Sequence, residues 1–322
     1  MKKLSVLLIS IFFGLIWLLN SASLTWADGK IQVVTSLPDL ADIAKQVGGE
    51  KVEVFAIAVG YQDPHFVDAK PSYIIKLQKA DLFVQVGLDL EIGWVPPLLE
   101  GSRNKNILWG GAGNVDASRG MTLLQVPAVD PAKLRAEGDI HIYGNPHYWL
   151  DPMNGKIIAE NIFAGLVKIS SENEAYFKQN LEIFKQKIDE ATQRWSELMR
   201  PYQGTEIYAY HNSWPYFEQR FGLKIAGYIE PKPGIPPSPK YLASVIEQMK
   251  AKNIKIIIIE PYFPKKSAEL VAKNTGAEII ELAPMVGGEP AVDDYLKLFD
   301  YNFSKLIEAF KKVGIEPRHL SN

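Results

Sequence analysis

The sequence has no cysteine among its 322 residues. That absence excludes disulfide bridges, thiolate metal ligands, cysteine nucleophiles and an N-terminal cysteine that carries a lipid. The formal net charge is only −2, so nothing indicates nucleic acid or an anionic membrane as a partner. The composition, 47% apolar and 22% charged residues, is typical of a soluble globular protein.

The N-terminal stretch has the pattern of a secretory signal peptide. Two lysines precede an apolar run over residues 4–19, and small and polar residues follow as far as Ala27. We predict a cleavable signal peptide over 1–27, with Ala22 or Ser23 as the alternative cleavage position. The apolar run is shorter than the ~20 residues that a membrane-spanning helix needs. We therefore expect a periplasmic protein that is not a lipoprotein.

Short apolar strands alternate with amphipathic helices on both sides of one long helix. Between Glu174 and Met199 the apolar residues recur at intervals of three and four, which predicts one continuous buried stripe. A helix of a bundle or coiled coil is the alternative, but the stripe occurs once and lies between strand–helix units. Its members are Phe177, Leu181, Phe184, Ile188, Ala191, Trp195 and Leu198.

This alternation predicts an α/β fold of two (β/α)4-type lobes with parallel sheets, joined by one long backbone helix. The predicted domains are an N-terminal lobe over 28–172, a linking helix over 173–200 and a C-terminal lobe over 201–322. A further strand of the first lobe is expected at Asn106–Trp109, and a short one near Met121–Val126, within a loop rich in Gly, Asp and Pro.

Three of the five histidines occupy positions suited to a shared site. His65 follows a predicted strand and His211 ends another, and ligand sites in open α/β sheets lie beyond the carboxyl ends of strands. His147 lies among two prolines and two aromatic residues, just before a long helical stretch that leads to the linking helix. The three imidazoles could meet in a cleft between the lobes and bind one metal ion. Their spacing matches no local zinc motif, so packed histidines remain an alternative; His319, in the tail, is expected to be inert.

Short motifs across the chain resemble one family in their order and spacing. They lie at 35–44, 63–65, 70–72, 80–91, 146–152, 211–217, 237–239 and 259–263. With them the chain resembles the periplasmic metal-binding components of zinc and manganese ABC importers, the cluster A-I binding proteins. The resemblance implies two lobes joined by one long helix, with the metal site in the cleft between the lobes. It also implies a divalent metal ion as cargo and an ABC transporter membrane permease as partner; we expect a monomer and no enzyme activity.

By position, His65, His147 and His211 match the first three metal ligands of that family. Family members that resemble manganese binders tend to have Glu at the third position, whereas zinc binders have His. Three neutral imidazoles suit Zn²⁺, while Mn²⁺ prefers carboxylate oxygen. The resemblance therefore implies an extracytoplasmic solute-binding protein that captures Zn²⁺ and delivers it to a permease. Mn²⁺ or Fe²⁺ is the alternative cargo.

The sequence departs from the family at the fourth ligand. Ala283 stands where the family commonly has Asp, so water or Glu260 would complete the site, Glu260 being either a ligand or a neighbour that orients one. A three-histidine zinc hydrolase with Glu260 as base is the rival interpretation. Asp63 or Asp151 is expected to orient the imidazoles. His141, the histidine of the long loop, is expected to be exposed to solvent, with transient metal capture as the alternative.

Overall fold

Two parallel four-stranded sheets form the framework of the protein. The computed structural model describes residues 29–128 and 141–318; the predicted signal peptide and His319 lie outside the described residues. The first sheet has the strand order β2-β1-β3-β4. Its strands are Ile31–Thr35 (β1), Val52–Ala56 (β2), Leu82–Gln85 (β3) and Asn114–Asp116 (β4). All four positions of β3 are buried, as expected of a parallel strand that is covered on both faces.

The second sheet repeats this arrangement. Its strands are Glu206–Ala209 (β5), Lys224–Tyr228 (β6), Ile256–Ile259 (β7) and Glu278–Glu281 (β8). They are also parallel, in the order β6-β5-β7-β8. Each sheet thus reverses its strand order beside its first strand, and in open α/β sheets ligands bind at such a reversal, beyond the carboxyl ends of the strands. The predicted fold class is confirmed.

Nine α-helices surround the sheets in the described residues. Six of them have a proline in the first turn. A backbone N–H at that position has no acceptor within the helix, so a proline there costs no hydrogen bond. Within these residues, none of the helices combines the length and the apolarity that crossing a membrane would need. The helices are Pro38–Gly48 (α1), Pro71–Gln78 (α2), Val95–Ser102 (α3), Pro152–Ile169 (α4), Glu174–Met199 (α5), Pro215–Phe221 (α6), Pro239–Ala251 (α7), Lys266–Thr275 (α8) and Tyr295–Lys312 (α9).

The long helix α5 connects the lobes. Its 26 residues span ~39 Å, and it packs against α1 and α4 of the first lobe and against α6 and α9 of the second. The predicted stripe is buried except at its last member. Leu198 is 44% exposed, and Met199, four residues after Trp195, is buried in its place. The buried stripe therefore ends with a step of four residues, from Trp195 to Met199, instead of the predicted step of three to Leu198.

Direct hydrogen bonds also join the lobes. The indole Nε1 of Trp149 donates to the carbonyl of Pro284 at 2.9 Å, and the hydroxyl of Tyr295 donates to the carbonyl of Trp149 at 2.5 Å. The guanidinium of Arg220 forms two 2.8 Å bonds with Asp151. The two lobes are thus held together near His147 as well as along α5.

The prediction of a strand at Asn106–Trp109 is wrong. This stretch forms turns, in which Ile107 is buried, and β3 pairs with β4 instead. The amide of Asn106 donates to the carbonyl of Asp81 at 2.7 Å and ties the turns to the sheet. Ile107 is buried beneath the turns rather than in a strand of the sheet, while Trp109 is exposed. The short strand predicted near Met121–Val126 is likewise not formed.

The buried stripe of α5 generates a prediction with a matched control on the same helix. We expect Ile188→Ala, at a fully buried position, to lower the free energy of unfolding by about 2–5 kcal/mol, because the site cannot collapse fully around the cavity. Ile183 is half exposed, and Ile183→Ala should change that free energy by about 0.5 kcal/mol or less. Urea unfolding measures both. Equal losses would contradict a stabilising role for the buried face of α5.

Asp39 is a buried acid at the contact between the lobes. It lies in α1 with no exposed surface, and its Oδ1 accepts from the backbone N–H of Val286 in the second lobe at 3.3 Å. Its Oδ2 has no hydrogen-bond partner. Burial raises the pKa of Asp39 from 3.8 to about 8. The folded protein therefore binds this proton more tightly than the unfolded chain, and its stability falls as the pH rises from about 4 to about 8.

Asp39→Asn removes this titration. We expect the melting temperature of the variant, relative to the parent, to rise by several degrees from about pH 5 to about pH 8, because only the parent has to ionise a buried carboxyl group. Asp189→Asn, at an exposed carboxylate paired with Lys156, is the control and should show no such trend. Thermal melts across this pH range measure the difference, and a constant difference between Asp39→Asn and the parent would contradict the assignment.

Candidate metal centre

Three histidines from distant parts of the chain meet between the lobes. His65, His147 and His211 each offer a ring nitrogen, and these nitrogens all lie within 4.8 Å of one another. The side chains are buried, with 7%, 2% and 5% of the residue surface exposed. In the part of the chain that the structure describes, no other group of three or more His, Cys, Asp or Glu residues comes together in this way. The structure thus brings together the three predicted histidines.

His65 and His147 are held by the same local motif. In Asp63-Pro64-His65, Oδ1 of Asp63 accepts from the backbone N–H of His65 at 3.0 Å and contacts its Nδ1 at 2.8 Å. In Asn145-Pro146-His147, Oδ1 of Asn145 makes the same two contacts with His147, both at 3.0 Å. Asp and Asn side chains commonly bond to the backbone two residues on, and the intervening proline restricts the backbone. Each motif thus engages Nδ1 of the ring and leaves Nε2 for the centre.

His211 reaches the site from the second sheet. It lies two residues beyond β5, and Glu230 lies two residues beyond the neighbouring strand β6. The Nδ1 of His211 donates to Oε2 of Glu230 at 2.5 Å, while Oε1 accepts from the backbone N–H of Gly234 at 2.7 Å. A side-chain oxygen at Nδ1 fixes the tautomer of an imidazole and raises its basicity as a ligand. All three rings therefore direct an Nε2 lone pair inward.

Hydrogen bonding and electrostatics favour a cation at this point. Nε2 of His147 is buried and has no hydrogen-bond partner, although buried polar atoms are nearly always paired. Burial and the neighbouring His65 and His211 hold the pKa of His147 well below 6.5. Burial alone would lower the pKa of His211, but the hydrogen bond to Glu230 and the charge of Glu260 raise it. Burial therefore favours the neutral form of His147, in which Nε2 offers a lone pair to a cation.

Of the two residues predicted to orient the imidazoles, Asp63 contacts one and Asp151 has a different role. Asp63 contacts His65, but Asp151 caps α4 through the backbone N–H of Met153 at 2.9 Å and pairs with Arg220. Asn145 and Glu230 are the acceptors that sequence reasoning missed. The repeated Asx-Pro-His pattern could have identified Asn145. Glu230 has no local signal, since its contact depends on the pairing of β5 with β6.

Glu260 and Ala283 are the two residues considered from the sequence for the fourth position. Glu260 has no exposed surface; its Oε1 accepts from the indole Nε1 of Trp214 at 2.9 Å, and its Oε2 has no hydrogen-bond partner. Burial raises the pKa of Glu260 to about 7. Both backbone groups of Ala283 bond to the side chain of Asn302 at 2.8 Å. A role of Glu260 as a ligand or as an orienting residue stays a prediction.

His141 is not the exposed loop residue expected from the sequence. Its side chain is partly buried, and its Nε2 lies 3.1 Å from Nε2 of His65. Its ring centroid is 5.1 Å from that of His65 and 6.4 Å from that of His147. Burial and the charges of His65 and His211 lower the pKa of His141 to about 3. His141, His147 and His211 line one cavity of about 150 Å³.

Comparison with known proteins identifies the family. The family described as ZnuA, zinc-uptake complex component A periplasmic, matches residues 33–309. The chain belongs to the ZnuA family. A crystal structure of ZnuA superimposes with a TM-score of 0.72 at 25% sequence identity, and the match covers 87% of this chain and 99% of that one. The family resemblance predicted from the sequence is confirmed.

Curated relatives carry the names of both manganese and zinc proteins. The manganese ABC transporter substrate-binding lipoprotein PsaA of Streptococcus pneumoniae is 24% identical, over 97% of this chain and all of that protein. The zinc-binding protein AdcA of Streptococcus pyogenes serotype M1 is 28% identical, over 89% of this chain but 57% of AdcA. The chain is therefore a metal-binding substrate-binding protein of the ABC transporter class. These relatives do not distinguish zinc from manganese.

The predicted localisation is contradicted by these relatives. PsaA is named a lipoprotein, and so is FimA of Streptococcus parasanguinis, which is 24% identical over 97% of this chain. These names point to a lipoprotein, so the prediction of a periplasmic protein that is not a lipoprotein is wrong. That prediction rested on the absence of cysteine from the sequence, and the comparison does not identify a residue of this chain that would carry a lipid.

Proposed function

We propose that this substrate-binding protein carries Zn²⁺ to an ABC transporter membrane permease and that His65, His147 and His211 are its ligands. The observation that supports this most strongly is the common orientation of the three rings. Each Nδ1 is engaged by a side-chain oxygen, so three lone pairs converge within 4.8 Å of one another. Packed histidines without a ligand would not need three inward lone pairs.

The distances suit a zinc ion after a small contraction. Zn–N bonds of about 2.0–2.1 Å in a tetrahedral site separate the ligand nitrogens by ~3.4 Å. The three nitrogens lie within 4.8 Å of one another, so side-chain movements of about 1 Å bring them to that separation. The contacts of α5 with both lobes and the hydrogen bonds near His147 oppose a wide hinge motion. We therefore infer a local closure about the ion.

The donor set favours zinc over manganese or iron. Imidazole nitrogen suits Zn²⁺, whereas Mn²⁺ prefers oxygen, and the intrinsic affinity order places zinc above both Mn²⁺ and Fe²⁺. The carboxylates of Asp63 and Glu230 are engaged by His65 and His211 and support ligands rather than bind the ion. In this proposal the ligands come from the predicted lobes 28–172 and 201–322, joined by 173–200, and the protein acts as a monomer.

The ligand set is tested by removing its most buried member. We expect the metal-free parent to bind one Zn²⁺ per chain and His147→Ala to bind it at least about 100-fold more weakly, because loss of a ligand should exceed the effect of losing a supporting residue. Competition with a chromophoric chelator measures the affinity. His319→Ala is a matched histidine control and should bind like the parent. Parental affinity in His147→Ala would refute the proposed ligand set.

The choice of metal is tested by competition. We expect protein purified without added metal to contain zinc, and about a hundredfold excess of Mn²⁺ or Fe²⁺ to leave that zinc in place, because neutral nitrogen donors favour zinc over both. Elemental analysis before and after dialysis against each competing metal measures this. Displacement of zinc by manganese or iron would reassign the cargo while leaving a metal-binding function intact.

A further inference from the structure

We propose that His141 supplies a fourth imidazole ligand to the metal cargo. This inference rests on the proposed function and deepens it, because three histidines leave one position of a tetrahedral ion open. Ala283 has no side-chain donor for that position. His141 is the remaining histidine of the described residues, and its Nε2 lies 3.1 Å from Nε2 of His65.

The Nε2 lone pair of His65 faces the ring of His141. Nδ1 of His65 bonds to the carboxylate of Asp63, which only accepts. Each neutral imidazole carries one N–H, so with that N–H on Nδ1 the ring of His65 presents a lone pair on Nε2. That lone pair faces Nε2 of His141 at 3.1 Å. In the metal-free protein a proton on Nε2 of His141 bridges the two nitrogens, and in the other tautomer of His141 both nitrogens offer a lone pair to one cation.

The separation of these nitrogens is close to that of two ligands on one zinc ion. Zn–N bonds of about 2.0–2.1 Å at tetrahedral angles separate two nitrogens by ~3.4 Å, against 3.1 Å between His65 and His141. His141 lies outside the group of nitrogens within 4.8 Å of one another, and its ring centroid is 6.4 Å from that of His147. Binding must therefore move the ring of His141 toward His147, through the cavity that both residues line.

Glu260 is the competing candidate, and its contacts favour a different role. Its Oε1 is held by the indole of Trp214 at 2.9 Å, and Glu260, like His141, lies outside the group of converging ligand atoms. His141 is also the least buried of the four histidines, so its ring has room to move. The structure therefore favours a site of four nitrogens, with Glu260 outside it.

X-ray absorption at the zinc edge tests the proposal. The zinc-loaded parent should show four nitrogen neighbours with the multiple-scattering signature of imidazole, and His141→Ala should show three such neighbours and one oxygen from water. We also expect His141→Ala to bind Zn²⁺ about 10–100-fold more weakly, a loss at least as large as that of a supporting residue. His141→Phe keeps a ring without a nitrogen and should behave in the same way.

Two control variants separate the possible outcomes. Tyr143→Ala changes an exposed residue near His141 and should keep the parental spectrum and affinity. Glu260→Gln should keep four nitrogen neighbours. If His141→Ala keeps the parental spectrum and affinity, or if Glu260→Gln alone alters the coordination, the proposal for His141 is overturned while zinc binding stands. If the parent itself binds no zinc, the proposed function fails as well.

Discussion

Three bonds between an Nδ1 atom and a side-chain oxygen determine what this site can do. Asp63, Asn145 and Glu230 each engage one ring, which fixes the tautomers and turns three lone pairs inward. Without these acceptors the rings could exchange tautomers and bond to one another. The arrangement is unfavourable in the metal-free protein, because inward lone pairs such as that on Nε2 of His147 have no donor. A cation removes that penalty, so folding prepares the site for an ion.

The fold keeps these acceptors in place through two kinds of local structure. The Asx-Pro-His motifs set Asp63 and Asn145 beside their rings by local contacts, and the amide of Asn145 also donates to the distant carbonyl of Asn212 at 2.8 Å. The third acceptor, Glu230, depends on the ladder between β5 and β6, which sets it beside His211. Because α5 and the hydrogen bonds of Trp149 and Arg220 already join the lobes, little binding free energy has to be used to bring the two halves of the site together.

Much of this could be predicted from the sequence, because the signals were periodic or lay at strand ends. The stripe of α5 and the three histidines depend only on spacing along the chain. The fourth strand could not be placed in this way, since Asn106–Trp109 forms turns over the buried Ile107 and β4 carries a single buried residue. The burial of His141 and the contact of Glu230 depend on which segments become neighbours. The spacing of apolar residues along one segment does not indicate which other segments lie beside it.

The charge of the ion raises a further constraint. An all-imidazole donor set is neutral, so the two positive charges of the cargo must be balanced beyond the ligands. Asp63 and Glu230 each lie one hydrogen bond away from a ring. Glu260 is fully buried, its pKa is raised to about 7, and its Oε2 has no partner. A divalent cation nearby would lower that pKa and favour the carboxylate. On this argument Glu260 belongs to the charge balance of the site, and a nitrogen ligand such as His141 can replace the aspartate expected at Ala283 without leaving the ion uncompensated.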